Sequence, residues 1–297
     1  MSDNTDAMSM GPPEIEGATP PPASSFEMLT LFLTSTNGAI GLSLFLLILG
    51  ATVFGPMVYP IDPFELSGAP FTPPNMKFWF GTDYLGRDIL AGILVGGRAT
   101  LIVGTTAALI TVLIGLTVGS LSGYFGGMID TALMKVTEFF QVLPALLFAM
   151  VLVTIYGPTL VTITIAIGVV SWTNVARLTR AEFLRIRELD YVKATTAAGA
   201  TTSYIIMRSI LPNALPPIIV AAAFAIGTAI LFEGGLSFLG LGDPNRISWG
   251  MIIGQNRIYV LDAWWAVLIP GTAIFLTVLS ICLIGDGLND FIRTKGR

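Results

Sequence analysis

Six runs of about twenty mostly apolar residues divide the 297-residue chain, at about 38–58, 98–121, 138–156, 158–176, 214–233 and 263–285. A helix rising 1.5 Å per residue needs about 20 such residues to cross ~30 Å of hydrocarbon. Charges inside the runs stand only near their edges, at Arg98, Glu138 and Glu233. Only 11% of residues are charged, less than half of the roughly 25% that a soluble domain carries. So few charges cannot cover the surface of a soluble fold. The expectation is an all-α, polytopic membrane protein with six transmembrane helices.

The segments between the runs divide the chain further. Residues 1–25 are acidic, Pro-rich and free of Lys or Arg. They predict a disordered cytoplasmic tail over 1–35 without the basic start of a cleaved signal. Residues 36–97 form a first helix and a polar extracytoplasmic segment, and 98–297 form a core. Within that core, 177–213 holds Arg177, Arg180, Glu182, Arg185, Arg187, Glu188, Asp190, Lys193 and Arg208. Each charge costs about 2.5–3.5 kcal/mol at a bilayer centre, so this stretch belongs in water. Six spans place both termini on one side. With the termini in the cytoplasm that side carries ten Lys and Arg, against five outside, which is the expected bias.

Several chemistries are excluded. There is no histidine, and the one cysteine, Cys282, lies inside an apolar run. No nucleophile–base pair is evident. No glycine loop closes on a phosphate-binding lysine, so ATP hydrolysis is not expected in this chain. No cofactor or nucleic-acid partner is expected for it either. A secondary transporter driven by an ion gradient predicts ionisable residues at span centres and internal repeats. Neither is visible here.

The basic loop is the most informative stretch. Asp190 can cap a short helix, and Gly199 stands where that helix needs a left-handed stop. Between them Tyr191, Ala194, Thr195 and Ala198 share one face, small enough for another protein to approach closely. The plain alternative is a solvated loop, basic because cytoplasmic loops are. Pro212 marks the entry to the fifth run. Gly115, Gly119, Gly123 and Gly127 recur every fourth residue, a spacing for close helix packing or, more sharply, for a sliding surface. Glu138 and Glu233 are functional candidates by their place near span ends. Tyr84, Trp249, Tyr259 and Trp264 are aromatics of the outer segments, suited to headgroups.

Asp190-Tyr191-Val192-Lys193-Ala194, then Gly199, then Ile210-Leu211-Pro212-Asn213, resembles the cytoplasmic signature of binding-protein-dependent ABC importer permeases. That signature reads EAA, three residues, Gly, nine residues, I-x-L-P. Ala194, Gly199, Leu211 and Pro212 are in register. Lys193, Thr195 and Ser209 stand where the family has Glu, Ala and Ile. The runs Phe80–Asp88, Gly123–Gly127, Leu236–Gly242, Ser248–Gly250, Trp264-Trp265 and Gly285–Asp290 narrow the resemblance to the C-type membrane subunit of dipeptide/oligopeptide permeases. The resemblance implies a type I ABC importer permease fold in a bacterial cytoplasmic (inner) membrane. Its implied partners are a homologous permease subunit, two ATPase domains holding ATP and Mg, an extracytoplasmic binding protein and a peptide. It also implies that Glu188, Asp190, Tyr191, Lys193, Ala194, Gly199, Ala200 and Pro212 form the coupling contact with an ATPase. Glu233, Trp249 and Arg257 become candidates for binding-protein docking or the pore. A non-peptide solute such as a nickel chelate fits the same family.

Overall fold

The computed structural model describes residues 35–295. The tail expected over 1–35 therefore lies outside the described residues, apart from Ser35. The helices are α1 (Thr36–Val58), α2 (Ile89–Phe125), α3 (Gly127–Val142), α4 (Ala145–Tyr156), α5 (Leu160–Ser171), α6 (Thr173–Arg187) and α7 (Asp190–Ala197). They continue with α8 (Thr202–Leu241), α9 (Trp249–Asn256) and α10 (Trp265–Lys295). Among the described residues the only extended pairing is two isolated bridges, Leu66 with Arg87 and Thr82 with Asp88.

Four helices are long and apolar enough to cross a membrane: α1, α2, α8 and α10. The number reaches six when α3 with α4, and α5 with α6, each count as one span. The third run was expected to be continuous over 138–156, and it is not. α3 and α4 meet at 84°, broken at Leu143-Pro144, because proline has no N–H and forces the residue before it out of the helical region. α5 bends by 42° into α6, so the fourth run continues as helix into the basic stretch. That stretch, read as a loop over 177–213, is mostly α6, α7 and the start of α8.

α2 is the hub, touching α1, α5, α6 and α8. Asp88 caps its start by accepting from the N–H groups of Leu90 (2.8 Å) and Ala91 (3.3 Å). The other oxygen of Asp88 accepts from the Tyr59 hydroxyl at 2.6 Å. Pro56 inside α1 cannot pair with the Thr52 carbonyl, and Arg98 of α2 takes its place. Its Nε donates to the Thr52 carbonyl at 2.9 Å and its Nη2 to the Val53 carbonyl at 2.8 Å.

The glycine series has a plain explanation. A Cβ added to Gly115 would lie 2.6 Å from Val175 Cβ, and one on Gly123 would lie 2.6 Å from Phe183 Cβ. Gly119 faces the Ala176 carbonyl just as closely, so the row seats α6 against α2. Gly127 differs: nothing lies within 4 Å of its Cβ position. Arg180 of α6 then clamps Asp130 of α3 through two parallel bonds of 2.6 Å, and the Ser122 hydroxyl of α2 donates to the same carboxylate. Large apolar side chains such as Leu47, Phe54, Val151 and Phe275 point outward. An aqueous surface would reject that face, and a bilayer accepts it.

Candidate functional site

α7 lies across the start of α8. Its stop has the geometry expected for Gly199, with φ +80°. The Gly199 N–H donates to the Thr196 carbonyl at 3.0 Å and the Ala200 N–H to the Thr195 carbonyl at 3.3 Å. That pair of bonds is a Schellman ending, which needs a left-handed residue where Gly199 stands. The start of α7 corrects the sequence reading. Leu189 occupies the cap position and makes no side-chain capping bond, while Asp190 is the first helical residue. Its charge favours the positive end of the helix without capping it.

Two attachments hold α7. Val192 is 1% exposed and packs in a cluster with Phe183, Ile186, Ile205, Ile210 and Ala214. The Tyr191 hydroxyl donates to the Ser209 carbonyl at 3.2 Å and accepts from Asn213 Nδ2 at 3.1 Å. Asn213 Nδ2 also donates to the Ser209 carbonyl at 2.9 Å. Tyr191 thus ties α7 to α8 beside a π turn, Ile205–Ile210. Pro212 sits just past that turn, inside a continuous helix. It stands in the first turn of the α-helical stretch Leu211–Leu236, at the entry to the fifth run, and the π turn carries the helix back to Thr202. Ahead of it the ladder is already shifted: the Leu211 N–H donates to the Ile206 carbonyl, a five-residue step.

The remaining sequence candidates divide cleanly. Ala194, Glu188, Asp190 and Lys193 are exposed, and Ala200 is half-buried. The side chains of Leu189, Tyr191, Tyr204 and Met207 add exposed apolar surface on the same end. Glu188 pairs with Lys193 at 3.1 Å and with Arg187 at 3.6 Å, and Lys193 holds its carboxyl below the ordinary range. Lys193, where the resemblance expects Glu, therefore answers a neighbouring acid of this chain.

At the other end of α8, two of the three docking candidates are buried. Trp249 is 1% exposed and its Nε1 donates to the Ile93 carbonyl at 2.9 Å. Its large apolar ring fills the core between α2 and α9. Glu233 is 3% exposed. Its Oε1 accepts from the hydroxyls of Ser237 and Ser248, each at 2.7 Å, so it too offers no outer surface. Arg257 is exposed, lies 5.3 Å from the Phe238 ring centre, and lines a cleft of about 440 Å³ with Tyr84 and Tyr259. Those two rings stack at 5.5 Å.

The Phe80–Asp88 motif, which supplies Tyr84 to this cleft, folds into a tightly hydrogen-bonded loop. Asp83 Oδ1 accepts from the N–H groups of Leu85 and Arg87, both at 2.8 Å, and burial raises its carboxyl above the ordinary value. The Trp265 Nε1 donates to the Thr82 carbonyl at 3.1 Å. Val192, Asn213, Ser237 and Ser248 stand inside the matching runs but carry no role in the sequence reading. Asn213 had a signal, since it directly follows the matched Leu211-Pro212.

Comparison with known proteins follows the same lines. Residues 115–296 match the family described as "Binding-protein-dependent transport system inner membrane component". The chain is 39% identical over 268 residues to the di/tripeptide transport system permease protein DppC of Pseudomonas aeruginosa, covering 87% of this chain and 88% of that one. It is 35% identical over 269 residues to the oligopeptide transport system permease protein OppC of Bacillus subtilis, covering 90% and 88%. Among solved structures, an inward-facing form of the MetNI methionine ABC transporter matches with TM-score 0.55 at 20% identity, over 69% of this chain and 97% of that one. A likeness at that identity concerns the fold.

Proposed function

Because the chain belongs to the family of binding-protein-dependent transport system inner membrane components, we propose that it forms half of the pore of an ATP-driven peptide importer, with α7 as its coupling helix. The observation that carries this reading is the way α7 is mounted. It is short, stopped by Gly199, exposed over Ala194 and Tyr191, seated by Val192 against both α6 and α8, and tied to α8 by the Tyr191 hydroxyl. An element that must pass force needs a rigid link behind it and a free face in front.

On this reading a homologous permease subunit completes the pore. Two ATPase domains carry the ATP and Mg, and one of them receives α7. A binding protein delivers the peptide to the Arg257 end. Closure of the ATPases moves α7, the tie to Ser209 and Asn213 passes that movement to α8, and α8 crosses the bilayer. Both termini then lie in the cytoplasm, and residues from about 98 onward form the permease core. Peptide is favoured as the solute by the names of the relatives.

The test is ATPase activity of the co-purified complex in lipid, with and without binding protein and candidate peptides. A parallel sample carries Gly199→Asp. Peptide-dependent stimulation that the substitution abolishes is the expected result. Stimulation by a nickel chelate and by no peptide would replace the solute. A chain that assembles with no ATPase would overturn the reading.

A further inference from the structure

The far end of α8 carries a buried carboxyl group, that of Glu233, for which the transport reading gives no role. Glu233 Oε1 accepts from Ser237 Oγ, one turn along α8, and from Ser248 Oγ, both at 2.7 Å. Ser248 is also the cap of α9, accepting from the Met251 N–H at 3.1 Å. One oxygen thus holds the last turns of α8 to the first turn of α9. Around it the two segments meet backbone to backbone. A Cβ on Gly250 would lie 2.6 Å from Gly234 Cα, and one on Gly254 would lie 2.6 Å from the Ser237 carbonyl oxygen. Residues this small let the two backbones approach closely, and the two hydroxyl bonds to Glu233 fix which turn of α8 meets the start of α9. A carboxyl buried in apolar surroundings is costly, and no Lys or Arg pairs with Glu233 among the described residues.

α9 leads directly to the exposed surface. Arg257 and Tyr259 follow its last residue. Asn256 Oδ1 accepts from the Tyr84 N–H at 3.2 Å, and Tyr84 stacks on Tyr259. A protein seated there is connected through α9 and Glu233 to α8, and through α8 to α7.

The geometry points to Glu233 as a positioning residue that makes α8 and α9 one moving body, so that occupancy of the Arg257–Tyr259 surface is sensed at α7. This rests on the transport reading above. The competing arrangement is a lid, in which α9 lifts away from α8 in each cycle.

The experiment uses the complete complex in lipid. Glu233→Ala is expected to lower ATPase stimulation by peptide-loaded binding protein at least fivefold, with basal ATPase and assembly unchanged. Glu233→Gln, whose amide oxygen can accept both hydroxyls, is expected to keep at least half of the stimulation. Ser248→Gly, which removes the hydroxyl linking α9 to Glu233 while glycine still suits the cap position, is expected to lower stimulation likewise, whereas Ser237→Ala, which leaves that link, is expected to keep it. Wild-type stimulation in assembled Glu233→Ala would overturn the inference. So would a Glu233→Gln complex as defective as Glu233→Ala, or a Ser248→Gly complex with wild-type stimulation. Where Glu233→Ala does not assemble, the two serine variants decide. A wild-type complex with no stimulation at all removes the transport reading instead.

Discussion

The two ends of α8 are held by opposite means. At the α7 end the attachment is one buried side chain, Val192, and one hydroxyl, that of Tyr191, under an exposed apolar patch. At the α9 end the contact is backbone on backbone, with the Glu233 carboxyl group bonded to both segments inside it. Ser209 and Glu233 are separated by about 36 Å of helix at 1.5 Å per residue. The first junction resembles a handle, light and open to a partner. The second resembles a weld. A long helix joined in these two ways can pass a displacement from one end to the other without losing it to local rearrangement.

The weld should break at greater cost than the handle. Gly250→Val puts atoms where the Gly234 backbone already lies, and overpacking against backbone, which cannot turn aside, falls at the top of the usual range, about 3 kcal/mol. The expected result is the largest fall in the thermal midpoint of the purified complex, with stimulation and stability lost together. At the handle, Val192→Ala removes part of a buried side chain worth about 2 kcal/mol. Tyr191→Phe removes one hydrogen-bonding group, about 1 kcal/mol. Both are expected to reverse the ratio seen at Gly250, with a several-fold loss of ATPase stimulation and a small shift of midpoint. Equal ratios at the two ends would dissolve the distinction.

The smallest effect is expected at Lys193. Its partner Glu188 is exposed, and its carboxyl is held low by Lys193. A lowered carboxyl contributes stability above its ordinary value, near 4.3, and loses it as pH falls through the lowered one. Surface pairs of this kind are weak. Lys193→Ala should leave the midpoint unchanged within error at pH 7, and any residual difference should vanish in acid.

What the residues announce and what they conceal follows from the range of each interaction. Apolar runs are local, so the long helices were legible, as was the left-handed stop at Gly199. Pro144 stood in plain view inside the third run, yet hydropathy has no term for its missing N–H, and the 84° break went unread. At Pro212 the helix reaches further back than the apolar run, to Thr202, because the π turn ahead of it lets the helix continue. Asp190 had the right chemistry for a cap but stood one residue too late. Glu233 and Trp249 were judged by their position near an outer segment. Their burial depends on α9 folding back, through Ser248 and Thr100, and no local pattern foretells such a return.

The most direct measurement is cross-linking from the exposed face of α7. Ala194→Cys in a Cys282→Ser background, treated with a short thiol cross-linker in the assembled complex, is expected to join this chain to an ATPase subunit. The yield is expected to change when ATP is bound. A cross-link to the binding protein, or thiol labelling from the extracytoplasmic side alone, would contradict the assignment of α7 as the coupling helix.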